Sequence, residues 1–236
     1  MTEKLFEADS YARTATGIIR SITEDGVELN QTIFYACSGG QPGDIGYLVL
    51  PDGDRLRVID TRIDREKRTI RHVLEAYPAT LTVGVEVQQE IDWSHRYRHM
   101  QMHTALHLLS SLVAGGVNGC QIGANKSRID FVPDDPESLD KDRLSHDINE
   151  LIKRDAMVNI SSITDAELDA QPDLVRTMSV QPPRGLGSIR LVKIDDIDLQ
   201  PCGGTHVRQT SEITPITITK IENKGKGARR ISLEFA

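Results

Sequence analysis

The chain has 236 residues, 38% apolar and 27% charged, enough for the core of one large domain or two smaller ones and too apolar for a disordered chain. With 4% aromatic residues and a net charge of −7, broad base stacking and tracking along a duplex are both disfavoured. Cys37, Cys120 and Cys202 are too few and too scattered for a disulfide framework, no apolar run reaches membrane-span length, and the first residues lack a secretory pattern; a cytoplasmic protein with reduced thiols is expected.

Residues 1–91 read as β. Short runs of alternating β-branched and polar residues are punctuated by Asp25-Gly26, Asp52-Gly53 and the glycine-rich stretch 39–46, which predicts a small barrel. From Asp92 the period changes. Met102, Leu106, Leu109 and Val113 recur every three or four residues, so an amphipathic helix is expected, with Gly115-Gly116 as its stop. Leu144, Ile148, Leu151 and Ile152 mark a second helix after the break at Pro133–Pro136. Ile129–Phe131, SIRLVKIDDID, ITPITITKIENKG and ARRISLEF read as strands. The fold class is therefore α+β: a small β-barrel over 1–91, then an α+β domain over 92–236 with a largely antiparallel sheet packed by helices. Residues 217–236 gather Lys220, Lys224, Lys226, Arg229 and Arg230 against Glu222 and Glu234. Such a patch on an acidic body suits local phosphate contact. A solvated hairpin turn is the plainer alternative.

Four of the seven histidines, His95, His99, His103 and His107, are spaced four apart. Residues four apart share a helix face, so a pair of imidazoles can meet one metal ion. His103 and His107 lie deepest in the apolar run and are the better pair; His95 and His99, among Arg96, Tyr97 and Arg98, read as a surface or RNA-facing entry. Cys202-Gly-Gly-Thr-His206 adds a thiolate and an imidazole across a turn whose glycines let the backbone fold tightly. Together the two segments make an N/S set suited to Zn²⁺. A metallopeptidase needs Glu after the first histidine, and Thr104 stands there, so peptidase chemistry is disfavoured.

HTALH followed by PCGGTH resembles the editing domain of alanyl-tRNA synthetases and the free-standing alanyl-tRNA editing proteins, the AlaX family. The glycine-rich FYACSGGQPGDIG is similar to the loop in the barrel ahead of that domain, and Gln121-Ile-Gly, Arg128–Phe131 and GARRISLEF follow in the family's order. The resemblance runs from about residue 5 to the C-terminus and points to the medium-length form, barrel plus editing domain, acting in trans. It implies a zinc-dependent hydrolase of mischarged tRNA(Ala), chiefly Ser-tRNA(Ala) and also Gly-tRNA(Ala), with zinc on His103, His107, Cys202 and His206. It places Gln121 near the bound amino acid, so Gln121, His103 and His107 are the catalytic candidates. Cys37, Gly39, Gly40 and Gln41 become candidates for closing over the aminoacyl end. Arg229 and Arg230, with Lys224 and Lys226, become candidates for acceptor-stem phosphates; Arg96 and Arg98 are further ones. Arg128 and Asp130 are equally readable as a structural strand pair. Cys37 departs from the Thr or Glu that relatives often carry; a thiol donates hydrogen bonds weakly, which puts strict serine preference in doubt, and a small buried residue is the plainer reading. Four protein ligands usually close a zinc site, whereas hydrolysis needs an open position, and an open position is expected. Two alternatives stand: a non-catalytic zinc-stabilised tRNA-binding module, and editing of Ser-tRNA(Thr), since threonyl-tRNA synthetase editing domains share the HxxxH and CxxxH layout.

Overall fold

Side chains that alternate between buried and exposed, such as those of Thr69–Leu74 and Glu86–Ile91, suit strands with one face on a core. The computed structural model of the protein describes residues 1–64, 68–78, 81–178, 184–185 and 187–236. The chain divides into two units, Met1–Tyr97 and Arg98–Ala236.

In the first unit, β1 (Glu3–Lys4) leads into a single helical turn, α1 (Leu5–Ala8). The strands β2 (Thr14–Thr23), β3 (Gly26–Leu29), β4 (Gln31–Thr32), β5 (Gly46–Val49), β6 (Arg55–Asp64), β7 (Thr69–Leu74) and β8 (Glu86–Ile91) follow. Six of them close a barrel in the order β2-β3-β7-β6-β5-β8, sealed by antiparallel pairing of β8 with β2 and β5. The expected barrel is present. Its core is filled by Ile19, Val27, Leu29, Leu48, Val58, Leu74 and Val87. Closure leaves no free edges, which suits a small all-β unit. β1 pairs with β4 in parallel outside the barrel.

The helix α2 (Trp93–Leu112) crosses the division between the units. Asp92 caps it, its carboxylate accepting from the His95 amide at 3.0 Å. Every residue from His99 to Ser110 is buried. This corrects the amphipathic reading of this helix. The polar side chains that suggested a wet face are consumed inside; Gln101, for example, accepts from both the amide and the hydroxyl of Thr214 at 3.0 Å.

The second unit continues with β9 (Gly115–Gln121), β10 (Lys126–Pro133), α3 (Lys141–Lys153), β11 (Val158–Ile163), α4 (Asp165–Asp169), β12 (Ile189–Ile194), β13 (Asp198–Pro201), β14 (Ile216–Gly225) and β15 (Ala228–Phe235). They form two antiparallel sheets, β14-β15-β10-β9 and β11-β12-β13. Helix α3 buries Leu144, Ile148 and Ile152, as its spacing predicts, and lies along β14, where the Asn149 side chain bonds both peptide groups of Ile216, at 3.0 and 2.7 Å. Gly115 opens β9 rather than merely ending α2. Among the described residues no helix is long and apolar enough to cross a membrane.

Candidate metal centre

Helix α2 sets His103 and His107 one turn apart, with ring centroids 5.4 Å from one another. Directly after β13 the chain turns, and Cys202 and His206 meet them. The His206 ring centre is 4.4 Å from that of His103 and 4.7 Å from that of His107. Cys202 Sγ lies 3.5 Å from His103 Nε2 and 3.3 Å from His206 Nε2. All four ligand atoms fall within 4.8 Å of one another. Tetrahedral zinc with bonds of about 2.3 Å to sulfur and about 2.0 Å to nitrogen would hold such a pair roughly 3.5 Å apart. The donor chemistry fits that ion, and the two sulfur–nitrogen contacts lie near that separation.

The electrostatics favour a metal-binding thiolate, while His107 would have to give up a proton to ligate. Burial pushes the Cys202 thiol up, but the charges of His103 and His206 and hydrogen bonds from His103 and His107 outweigh it; the net pKa lies well below the usual thiol value. A thiolate is the form that binds metal. Burial, foremost, holds His206 well below the ordinary imidazole value. Burial also acts to lower His107, yet hydrogen bonds to Asp198 and Cys202 raise it to about 9. Cys120 is pushed up to about 11, first by burial and then by the charge of Cys202, which keeps it a thiol.

The turn is tied to β12 by hydrogen bonds. Neither Gly203 nor Gly204 lies in the left-handed region. Arg190 on β12 donates from Nη1 to the carbonyls of Cys202 and Gly204, at 2.7 and 2.9 Å. The Cys202 amide donates back to the Arg190 carbonyl, and the Gly204 amide donates to Cys202 Sγ at 3.4 Å.

Sequence reasoning missed the residues around the ligands. Asp198 Oδ2 lies 2.8 Å from His107 Nδ1 and accepts from Gln200 Nε2 at the same distance. A usable signal was present: Asp198, Gln200 and Cys202 are spaced two apart, so a strand there puts all three on one side.

Other candidates are placed differently. His99 is buried and His95 half-buried, with Nε2 of His95 donating to the Gly43 carbonyl at 3.1 Å. Arg96 is wholly buried in the first unit: its Nε meets both Asp44 oxygens at 2.9 and 3.0 Å, and its Nη atoms reach the carbonyls of Ser10 and Ile33. A surface entry at His99 and phosphate contact by Arg96 are therefore corrected, because each is sequestered from solvent. Arg98 is exposed, lies over the Phe235 ring and bonds Ala124 and Asn125. Arg229 donates to Glu137 at 2.7 Å, and Arg230 forks onto Asp130 at 2.7 and 2.8 Å. Asp130 thus pairs across the sheet with Arg230, its register partner, rather than along its own strand with Arg128.

Gln121 is exposed at the end of β9. In the barrel unit, Ser38 and Gln41 exchange backbone hydrogen bonds around Gly39 and Gly40, both with positive φ, so this stretch is a tight hairpin turn. Cys37 is exposed, against the buried reading, and Gln41 is buried.

Comparison with known proteins adds an independent line. The family described as "Threonyl and Alanyl tRNA synthetase second additional domain" matches residues 189–232, and "tRNA synthetases class II (A)" matches residues 6–95. A protein of Methanosarcina acetivorans named alanyl-tRNA editing protein AlaX-M is 35% identical over 98% of each chain. One of the same name from Saccharolobus solfataricus is 34% identical, again over 98% of each. The alanine–tRNA ligase of Sulfurisphaera tokodaii is 34% identical over 98% of this chain, which covers 26% of that enzyme.

Proposed function

The chain belongs to the family of medium-length alanyl-tRNA editing proteins, and from that membership and the His/Cys cluster we propose that it is a zinc-dependent hydrolase of mischarged tRNA(Ala), acting in trans. The bond cleaved is the ester between the amino acid and the terminal ribose: water gives its hydroxyl to the acyl carbon and a proton to the ribose oxygen. Serine is the chief amino acid removed, and glycine a second. A pocket for alanine cannot strongly reject either, because one small group is worth only ~1–3 kcal/mol of discrimination, so a second, hydrolytic site is required.

The observation that carries the reading is the convergence of His103, His107, Cys202 and His206, whose ligand atoms all lie within 4.8 Å of one another. These four would hold the ion. Zinc held there would supply a water of lowered pKa and a polarised carbonyl. Because four protein donors fill a tetrahedron, an open position requires one of them to yield. Gln121, exposed at its strand end, is assigned to orient the bound amino acid or water. The turn Cys37–Gln41 is assigned to the aminoacyl end. Arg229 and Arg230 would have to exchange Glu137 and Asp130 for acceptor-stem phosphates. Residues 1–91 would form the barrel domain and 92–236 the editing domain.

A second reading, editing of Ser-tRNA(Thr), is favoured by the family description over 189–232, which names threonyl as well as alanyl synthetases. The test is a deacylation panel over Ser-, Gly- and Ala-tRNA(Ala) and Ser-tRNA(Thr), with chelator and with zinc restored. Release of serine and glycine from tRNA(Ala), sparing of alanine, and loss with chelator are expected. Selective release from tRNA(Thr) would transfer the assignment. Binding of tRNA without faster deacylation would make the protein a non-catalytic module.

A further inference from the structure

Thr104 lies between the two helix histidines in sequence, wholly buried, with three polar contacts at its hydroxyl. Oγ1 is 2.9 Å from the Met100 carbonyl, 3.1 Å from His206 Nδ1 and 3.3 Å from the Val207 amide nitrogen. A hydroxyl has one proton to give and two lone pairs to receive. The Met100 carbonyl can only accept, so it takes the proton. The Val207 amide can only donate, so it fills one lone pair. The remaining contact is with Nδ1 of His206, and only a hydrogen on that nitrogen completes it.

We infer that Thr104 is a positioning residue that fixes His206 with hydrogen on Nδ1, leaving Nε2 as its ligating nitrogen. That nitrogen is the one 3.3 Å from Cys202 Sγ, facing the cluster. Partners on the outer nitrogen of a ligating histidine set its tautomer and ring orientation. The helix thereby orients a ligand that the loop supplies: Thr104 stands one residue after His103 and holds the imidazole 102 positions downstream. The position that would carry the base of a metallopeptidase has instead a ligand-orienting task. The arrangement rests on the proposed metal site; in the metal-free chain Cys202 Sγ, 3.3 Å from Nε2, competes with Thr104 for the one imidazole hydrogen, and Thr104 prevails.

Imidazole nitrogen-15 shifts of His206 in the metal-free full chain read the tautomer directly, and chelator competition reads zinc affinity. The wild-type protein should show the Nδ1–H form. Thr104→Val, which keeps the shape and removes the hydroxyl, should lose that preference and weaken zinc binding about 10–100-fold. Thr104→Ser should restore both, which a mere packing role would not require. An Nε2–H form in the wild type overturns the inference without recourse to any variant. So does Thr104→Val with both readouts unchanged. A wild-type protein with the Nδ1–H form set by Thr104 but no deacylation would refute the proposed function and leave the positioning role standing.

Discussion

The Asp198 carboxylate lies 2.8 Å from Nδ1 of His107, buried on the strand that leads directly to Cys202. A carboxylate only accepts, so Nδ1 donates, and Nε2 of His107 is left for the cluster. Gln200 Nε2 lies 2.8 Å from the same carboxylate oxygen and 3.1 Å from Nδ1; an amide nitrogen only donates, so it gives its hydrogen to the carboxylate, as Nδ1 does. Replacing such a partner commonly costs 10–100-fold in metal affinity. Asp198→Asn should therefore weaken zinc binding by about that factor in a chelator competition while the far-ultraviolet dichroism is unchanged. Unaltered affinity would show that His107 needs no partner to be held in place.

Cys202 contributes the sulfur and also anchors the turn through its backbone. Cys202→Ala keeps the backbone bonds to Arg190 and removes only the thiolate. Zinc content and deacylation should fall together, measured by elemental analysis and by serine release from Ser-tRNA(Ala). Full zinc occupancy in this variant would count against the assigned ligand set.

The four clustered residues were legible because local spacing groups them in pairs. HTALH sits in a run of helical spacing, and the glycines of CGGTH mark a short loop. Their surroundings were less legible because the partners are remote in sequence. Arg96 reads as a surface cation until Asp44, 52 positions earlier, is seen to hold it inside. Arg230 reads as a phosphate ligand until Asp130, 100 positions earlier, is seen to face it. The helix α2 misled for the same reason: Thr214, 113 positions on, satisfies Gln101, a polar group that periodicity assigns to water. β9 was hidden by composition, since GGVNGCQ has one β-branched residue and no strict alternation. β11 was hidden by exposure, with Asn159 through Ser162 all facing solvent.

The buried pair in the first unit yields a stability prediction. Asp44 accepts from Arg96 and also from the Tyr35 amide at 2.6 Å, so losing the guanidinium leaves a buried carboxylate with too few donors. Removing one partner of such a pair costs about 3–5 kcal/mol. Arg96→Leu should lower the unfolding free energy by that order in urea titration. A change below about 1 kcal/mol, the scale of a surface ion pair, would return Arg96 to the surface role that its neighbours in sequence suggest.

The Asp130–Arg230 pair links stability to acid and tests the phosphate assignment at once. The hydrogen bond from Arg230 is the largest influence on Asp130; with the charges of Arg230, Arg128 and Lys224 it outweighs burial and holds the carboxyl below its usual value. A carboxyl depressed in the folded state stabilises above its unfolded pKa of about 3.9 and loses that contribution as pH falls through the folded value. The stability gap between wild type and Asp130→Asn should thus be constant above about pH 5 and close below about pH 4. The same substitution removes the anion that competes for Arg230. If Arg230 exchanges that carboxylate for a tRNA phosphate, Asp130→Asn should bind tRNA more tightly at low salt, with a steeper salt dependence, in filter-binding titrations. Unchanged affinity together with the expected acid behaviour would fix Arg230 as a strand-pairing residue and remove it from the RNA contact.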